Sequence, residues 1–166
     1  MMFRFLPAFF IVAAAAANYA AAQTNVRIEP SISLNGPRVL EQQTASAAIR
    51  NYLESWHSLS AALEQNRADL LDADFTGTAR DKLGETVQEQ SGAGLTTHYQ
   101  DTSHDIQIVF YSPEGLSIEL TDTVEYDVQV LDHGKPVTSQ HMRSHYVVVL
   151  TPTEAQWKVR IFQAQT

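Results

Sequence analysis

The apolar period of this 166-residue chain changes from helical to alternating near Gly92 and Gly94, and that change sets what it can fold into. Before it, Ile49, Leu53, Trp56, Leu59 and Leu63 recur at spacings of three and four, the stripe of an amphipathic helix, with Tyr52 flanking it. Asn66 followed by Asp69 predicts a second helix start ahead of Leu70 and Leu71. Thr78 with Asp81 predicts a cap for a third helix over 78–91. After the glycines, segments 95–99, 105–111, 116–131, 138–150 and 157–162 are rich in Val, Ile, Tyr and Thr and read as strands. Ser112-Pro113-Glu114-Gly115 and Asp132-His133-Gly134-Lys135 supply turns between them. A run of helices followed by a run of hairpin-connected strands predicts an α+β fold, with helices packed on one face of an antiparallel sheet.

The N-terminus carries one basic residue, Arg4, then an apolar run to Ala17 and the small residues Ala20-Ala21-Ala22. That is the pattern of a signal peptide over residues 1–22, too short in its apolar part for the about 20 residues of a membrane span. A periplasmic or secreted protein is expected, and a membrane-anchored one if the segment is retained. Residues 23–45 form an extended lead-in in which Val26, Ile28, Ile32 and Leu34 alternate up to Asn35-Gly36-Pro37, either an edge strand or a tether. Residues 46–166 form a single domain. Without the signal the net charge moves from −8 to −9, because Arg4 is lost. That sign disfavours nucleic acid and anionic lipid, whose phosphates need basic patches. The absence of Cys removes disulfides, thiol nucleophiles and thiolate metal sites.

The helical opening, with Ala61-Ala62-Leu63, Asp69-Leu70-Leu71 and Phe75, and the closing Trp157-Lys158-Val159-Arg160-Ile161-Phe162 resemble the nuclear transport factor 2-like superfamily (SnoaL-like, ketosteroid-isomerase-like) over most of residues 46–163. The resemblance implies a cone, a strongly curved antiparallel sheet wrapped around helices with a pocket between. It also implies a spread of activities, from steroid isomerases, polyketide cyclases and dehydratases to non-enzymatic domains, so the fold does not choose among them. The Gly-Asp turn common between the first two helices of the enzymes is replaced by Asn66-Arg67-Ala68-Asp69. No catalytic motif of the isomerase branch aligns here. The order of elements is closer to the non-catalytic periplasmic assembly domains.

One residue breaks the pattern of its strand. Leu116, Ile118, Leu120, Val124, Tyr126, Val128 and Val130 share a face, and Asp122 lies on it. Burial disfavours a charged carboxylate, which is how a general base or a proton-holding donor is made. The plainer expectation is a bulge at Thr121-Asp122-Thr123 that turns Asp122 outward, because buried unpaired carboxylates are rare. Trp56, Tyr99 and Tyr126 could line a ligand pocket with Asp122, or simply fill the core. His141, Arg143 and His145 alternate onto one strand face, the two His about 13 Å apart, too far to share a metal unless His98 or His104 joins them. A solvated or partner-facing surface, an anion site or a homodimer through the sheet fits that row. Ser112 and Ser117 lack nucleophile-elbow glycines, and Gly92-Ala93-Gly94 follows a helix instead of opening one. No metal or cofactor is called for.

The leading expectation is an exported, non-catalytic module that binds a partner protein or a small apolar ligand in a bacterial-type cell envelope. The first alternative is a cyclase, isomerase or dehydratase with Asp122 as base and Tyr126 or Tyr99 as hydrogen-bond donor. The second is a membrane-anchored assembly domain of an envelope or secretion complex.

Overall fold

The computed structural model describes residues 24–29, 34 and 38–165. The expected signal segment 1–22 lies outside the described residues. The elements run β1 (Asn25–Ile28), α1 (Gln42–Gln65), a short 3₁₀ turn (Ala68–Ala73), α2 (Gly77–Gly92), β2 (Leu95–Tyr111), β3 (Ile118–Asp132), β4 (Lys135–Pro152) and β5 (Trp157–Gln165). They form one five-stranded sheet in the order β1-β2-β3-β4-β5, with helices on one face.

The sheet is mixed, where the sequence predicts an antiparallel one. The lead-in supplies β1 as an edge strand, and β1 pairs parallel to β2 from Asn25↔Ser103 to Ile28↔Ile106. Parallel neighbours need a crossover connection, and here both helices lie between β1 and β2 in the chain. The other three pairings are antiparallel.

α1 buries Ile49, Tyr52, Trp56, Leu59 and Leu63, so Tyr52 is a full member of the apolar stripe. Asn66 ends this helix and does not start another. It adopts the left-handed conformation (φ 54) that Asn tolerates, and its side-chain amide donates to the Leu95 carbonyl at 2.9 Å, tying α1 to the start of β2. The 3₁₀ turn takes the place of the predicted second helix. α2 begins at Gly77 with Thr76 as N-cap, without the expected Thr78/Asp81 side-chain cap. Here the chain enters the helix straight from the sheet: Thr76 N–H donates to Val159 O, and Phe75 bridges Val159 of β5.

Segments 95–99 and 105–111, predicted as two strands, are one. The polar stretch between them hides a bulge at Thr102, where the β2–β3 register shifts between Asp101 and Ser103. A second shift lies between Ile108 and Phe110, and others interrupt β3–β4 at Val130/Leu131 and β4–β5 at Val149/Leu150. Bulges bend strands and sharpen their twist, which lets such long strands curl around α1.

The core lies between α1 and the inner sheet face. Ile106, Ile118, Leu120, Val124, Val148, Leu150 and Val159 are buried there. Leu120→Ala should cost about 2–5 kcal/mol of unfolding free energy, whereas Phe110→Ala, at a residue 47% exposed, should stay within about 0.5 kcal/mol. Urea titration of both variants checks the assignment of the inner face.

Candidate functional site

Asp122 is completely buried. The register of β3 runs unbroken through Thr121↔Gln107, Asp122↔Ile106 and Thr123↔Asp105, so the bulge expected there is absent and its inward alternation is kept. The bulge at Thr102, on the neighbouring strand, has a different consequence. Asp101 pairs with inward-facing Tyr126 and His104 with inward-facing Val124, so two residues three apart share one face. Without the extra residue they would point to opposite sides of the sheet.

These placements build a buried polar chain across three elements. The Tyr52 hydroxyl of α1 donates to Asp122 Oδ2 at 2.7 Å, and His104 Nδ1 meets the same oxygen at 2.6 Å. The Asp105 backbone N–H donates to Oδ1 at 3.1 Å. On its other side, His104 Nε2 lies 3.1 Å from Asp101 Oδ2. Thr24, just ahead of β1, closes the line by donating to the Asp101 carbonyl and carboxylate. The side chains of His104 and Asp122 are shielded from solvent, and that of Asp101 is 21% exposed.

Burial alone pushes the His104 pKa down, but the hydrogen bonds to Asp101 and then to Asp122 outweigh it and raise it to about 9. At neutral pH the ring is therefore an imidazolium donating from both nitrogens. The same contact lowers Asp101, against the opposing effect of burial. Burial first, and the charge of Asp122 second, push the Tyr52 hydroxyl well above its ordinary value. Tyr52 is a neutral donor at any working pH.

The four residues singled out in the sequence do not converge on one cavity. Trp56 occupies the middle of the cone, its ring centroid 5.3 Å from His104, 5.5 Å from Tyr146 and Phe162, and 6.1 Å from Tyr126. Its indole N–H is buried without a hydrogen-bond partner. Tyr126 is spaced from Asp122 by about 13 Å of strand, and its hydroxyl pairs with Ser144 at 3.1 Å. Tyr99 leans on Tyr126 at 5.3 Å and is half-buried. Aromatic rings thus fill the core beside the polar chain. Tyr99 also borders a cleft of about 550 Å³, with Glu64 of α1, His98 of β2, Asp127 and Val128 of β3 and Ser139 of β4. Neither Asp122 nor Tyr52 borders it.

Sequence reasoning missed Tyr52 as a partner, Asp101 altogether, and His104 except as a conceivable metal ligand. The signal for Tyr52 was present, four residues before Trp56 on the helical stripe. The Asp101/His104 pair had none, because its shared face depends on the bulge. Among the described residues no group of three metal-ligating side chains forms. His141, Arg143 and His145 face across the β3–β4 ladder to Asp127 (2.9 Å), Glu125 (3.7 Å) and Thr123 (3.1 Å), as ordinary cross-strand pairs.

No family model matches the sequence, and no curated protein matches it. Solved structures do. The intermembrane-space region of the chloroplast protein ARC6 superposes with a TM-score of 0.64 at 14% identity, covering 78% of this chain and 99% of that one. A candidate scytalone dehydratase from Novosphingobium aromaticivorans gives 0.51 at 15% identity, over 76% and 89%. A candidate aromatic ring hydroxylase from the same organism gives 0.53 at 11%, over 73% and 89%. At these identities the likeness is one of fold: the chain has the nuclear transport factor 2-like, SnoaL-like cone. Its neighbours include an organelle-envelope domain and proteins named as enzymes, so the fold leaves the activity open.

The raised His104 pKa carries a stability signature. A folded value of about 9 against an ordinary 6.5 means that the stabilisation is complete below about pH 6.5 and is lost as pH rises through 9, an effect of roughly 3 kcal/mol. Urea midpoints of the wild type should fall between pH 7 and 10 by more than those of His104→Gln, which should be less stable at pH 7 and flat over that range.

Proposed function

We propose that this protein is a non-catalytic cone-fold module that binds a partner in the cell envelope through the cleft beside Tyr99. The observation that carries this reading is the position of Asp122. The carboxylate is 0% exposed, accepts from Tyr52, His104 and the Asp105 N–H, and does not border the cleft. A general base has to reach the proton it removes, directly or through one water. Three donors already occupy Asp122, and the imidazolium adjacent to it has its side chain shielded from solvent between two carboxylates. The group that looked most catalytic in the sequence is accounted for as a structural charge pair.

The cleft is accessible, and mostly polar side chains border it. It suits a polar segment of a protein better than a small apolar molecule, which prefers a pocket of largely apolar lining. Export rests on the apolar run and alanine triplet of residues 1–22. Among the described residues no helix is long and apolar enough to cross a membrane. The likeness to a domain from an intermembrane space is consistent with a role between membranes.

A photo-cross-linking residue placed at Gln129, in the cleft, should capture one specific envelope protein in the native host. The same residue at Ile161, on the exposed part of β5, should not. Asp122→Asn should leave the capture in place once the variant is shown to be folded. Absence of any captured protein, together with a small-molecule turnover lost in Asp122→Asn, would overturn the reading in favour of the cyclase, isomerase or dehydratase class.

A further inference from the structure

β4 is longer than the strand that covers it. It spans Lys135–Pro152, but β5 pairs with it only from Pro152 down to His145, opposite Gln165. Residues 138–144 pair with β3 on one side, Val137 being the extra residue of the bulge at Val130/Leu131, and among the described residues no strand lies on the other side of 137–144. All but Met142 and Ser144 in that stretch are exposed, with Val137 at 59%. At about 3.3 Å per residue this is an open edge of roughly 26 Å, longer than an average strand.

Natural sheets blunt such edges with Lys, Pro, bulges or inward charges, because an unpaired row of N–H and C=O groups recruits other strands. Here Lys135 and Pro136 protect only the hairpin tip. From Thr138 to Leu150 the pairing with β3 is continuous, with no bulge to twist the edge away. The other long edge is treated differently. On β2, the Tyr99 carbonyl accepts from Ser60, the Leu95 carbonyl from Asn66 and the Asp101 carbonyl from Thr24. One edge is closed by side chains, and no strand among the described residues covers the β4 edge at 137–144.

We infer that the open edge of β4, residues 137–144, receives an extended segment of a partner protein as a sixth strand in line with β5, with acidic residues on its outward positions and apolar residues on its inward ones. The side chains specify this pattern. Outward, the rows across β3 and β4 read Glu125–Arg143 and Asp127–His141. An acid on the next strand gives the Arg143 guanidinium a second carboxylate neighbour and the His141 ring a second acceptor. Inward, Met142 lies beside Tyr126 and packs partly on the core, so an apolar residue opposite it extends that surface. A second copy of this chain fits poorly. Segment 135–144 holds no Asp or Glu to set against Arg143 and His141, and each chain has a net charge of −8.

The inference rests on the reading of the protein as a partner-binding module and names the kind of partner. The probe is an acetylated, amidated peptide of alternating Glu and Val, titrated into the ¹⁵N-labelled domain. Shift changes and slowed amide exchange are expected at 137–144. The Lys-Val analogue should bind about fivefold more weakly, as loss of one exposed charge pair at Arg143 implies, and Arg143→Glu should reverse that preference. The Glu-Val peptide methylated on alternate amide nitrogens should not bind. Binding elsewhere on the surface, equal binding of both peptides, or no binding at millimolar concentration would overturn the proposal. So would a peptide-free dimer with 137–144 already protected, which assigns the edge to a second copy. If the peptide fails while Gln129 still captures a protein, strand addition falls and partner binding stands. If both fail, both fall.

Discussion

The imidazolium of His104, held between Asp101 and Asp122, is the interaction on which the rest of this structure depends. A charge cannot be left unpaired inside a protein without a cost of several kcal/mol. Satisfying this one pulls together four parts of the chain: β2 carries His104 and Asp101, β3 carries Asp122, α1 reaches in with Tyr52, and Thr24 brings the start of β1 to Asp101. The pairing sets the depth at which α1 sits on the sheet and fixes the point where the parallel edge strand joins. Apolar packing supplies most of the stabilisation. The polar chain supplies the register, since a one-residue slip of β2 or β3 would turn one partner to the opposite face and leave the other buried without it.

A filled interior follows from the same arrangement. Trp56 packs edge-on to His104 and contacts Tyr126, Tyr146 and Phe162, so the space that a cone can devote to a ligand is taken up by rings. Accessible features lie at the periphery, among them the cleft beside Tyr99 and the part of β4 that β5 does not cover. Both lie at the end of the β3–β4 ribbon, where Gln129 and Ser139 face one another. A rigid, charge-locked centre with an accessible rim is the division of labour expected of a module that holds its shape while another chain docks on it.

The sequence carried the architecture further than the site. Period alone separated helices from strands, because the 3–4 spacing of Ile49 to Leu63 and the alternation of Ile118 to Val130 come from faces that pack against apolar neighbours. It failed where backbone geometry overrides composition. Asn66 reads as a cap by type, but its left-handed conformation makes it a terminator. The stretch from Gln100 to His104 reads as a break in the strand because its inward residues are polar. Asp122 was visible as an anomaly, and its explanation was not, since the partners lie 70 and 18 residues away in the chain and one of them is turned inward by a bulge that no residue type announces. β1 was ambiguous for a related reason: four residues with exposed side chains are defined only by the strand they pair with.

His104 is a solvent-shielded cation at neutral pH, held by Asp101 and Asp122. Its ring nitrogens, observed by ¹⁵N-resolved NMR across pH 5 to 10, report that charge. Protons on both nitrogens are expected at pH 7, exchanging slowly with water and lost only as pH approaches about 9. A neutral ring at pH 7, titrating near its ordinary value of about 6.5 and exchanging rapidly with solvent, would contradict it.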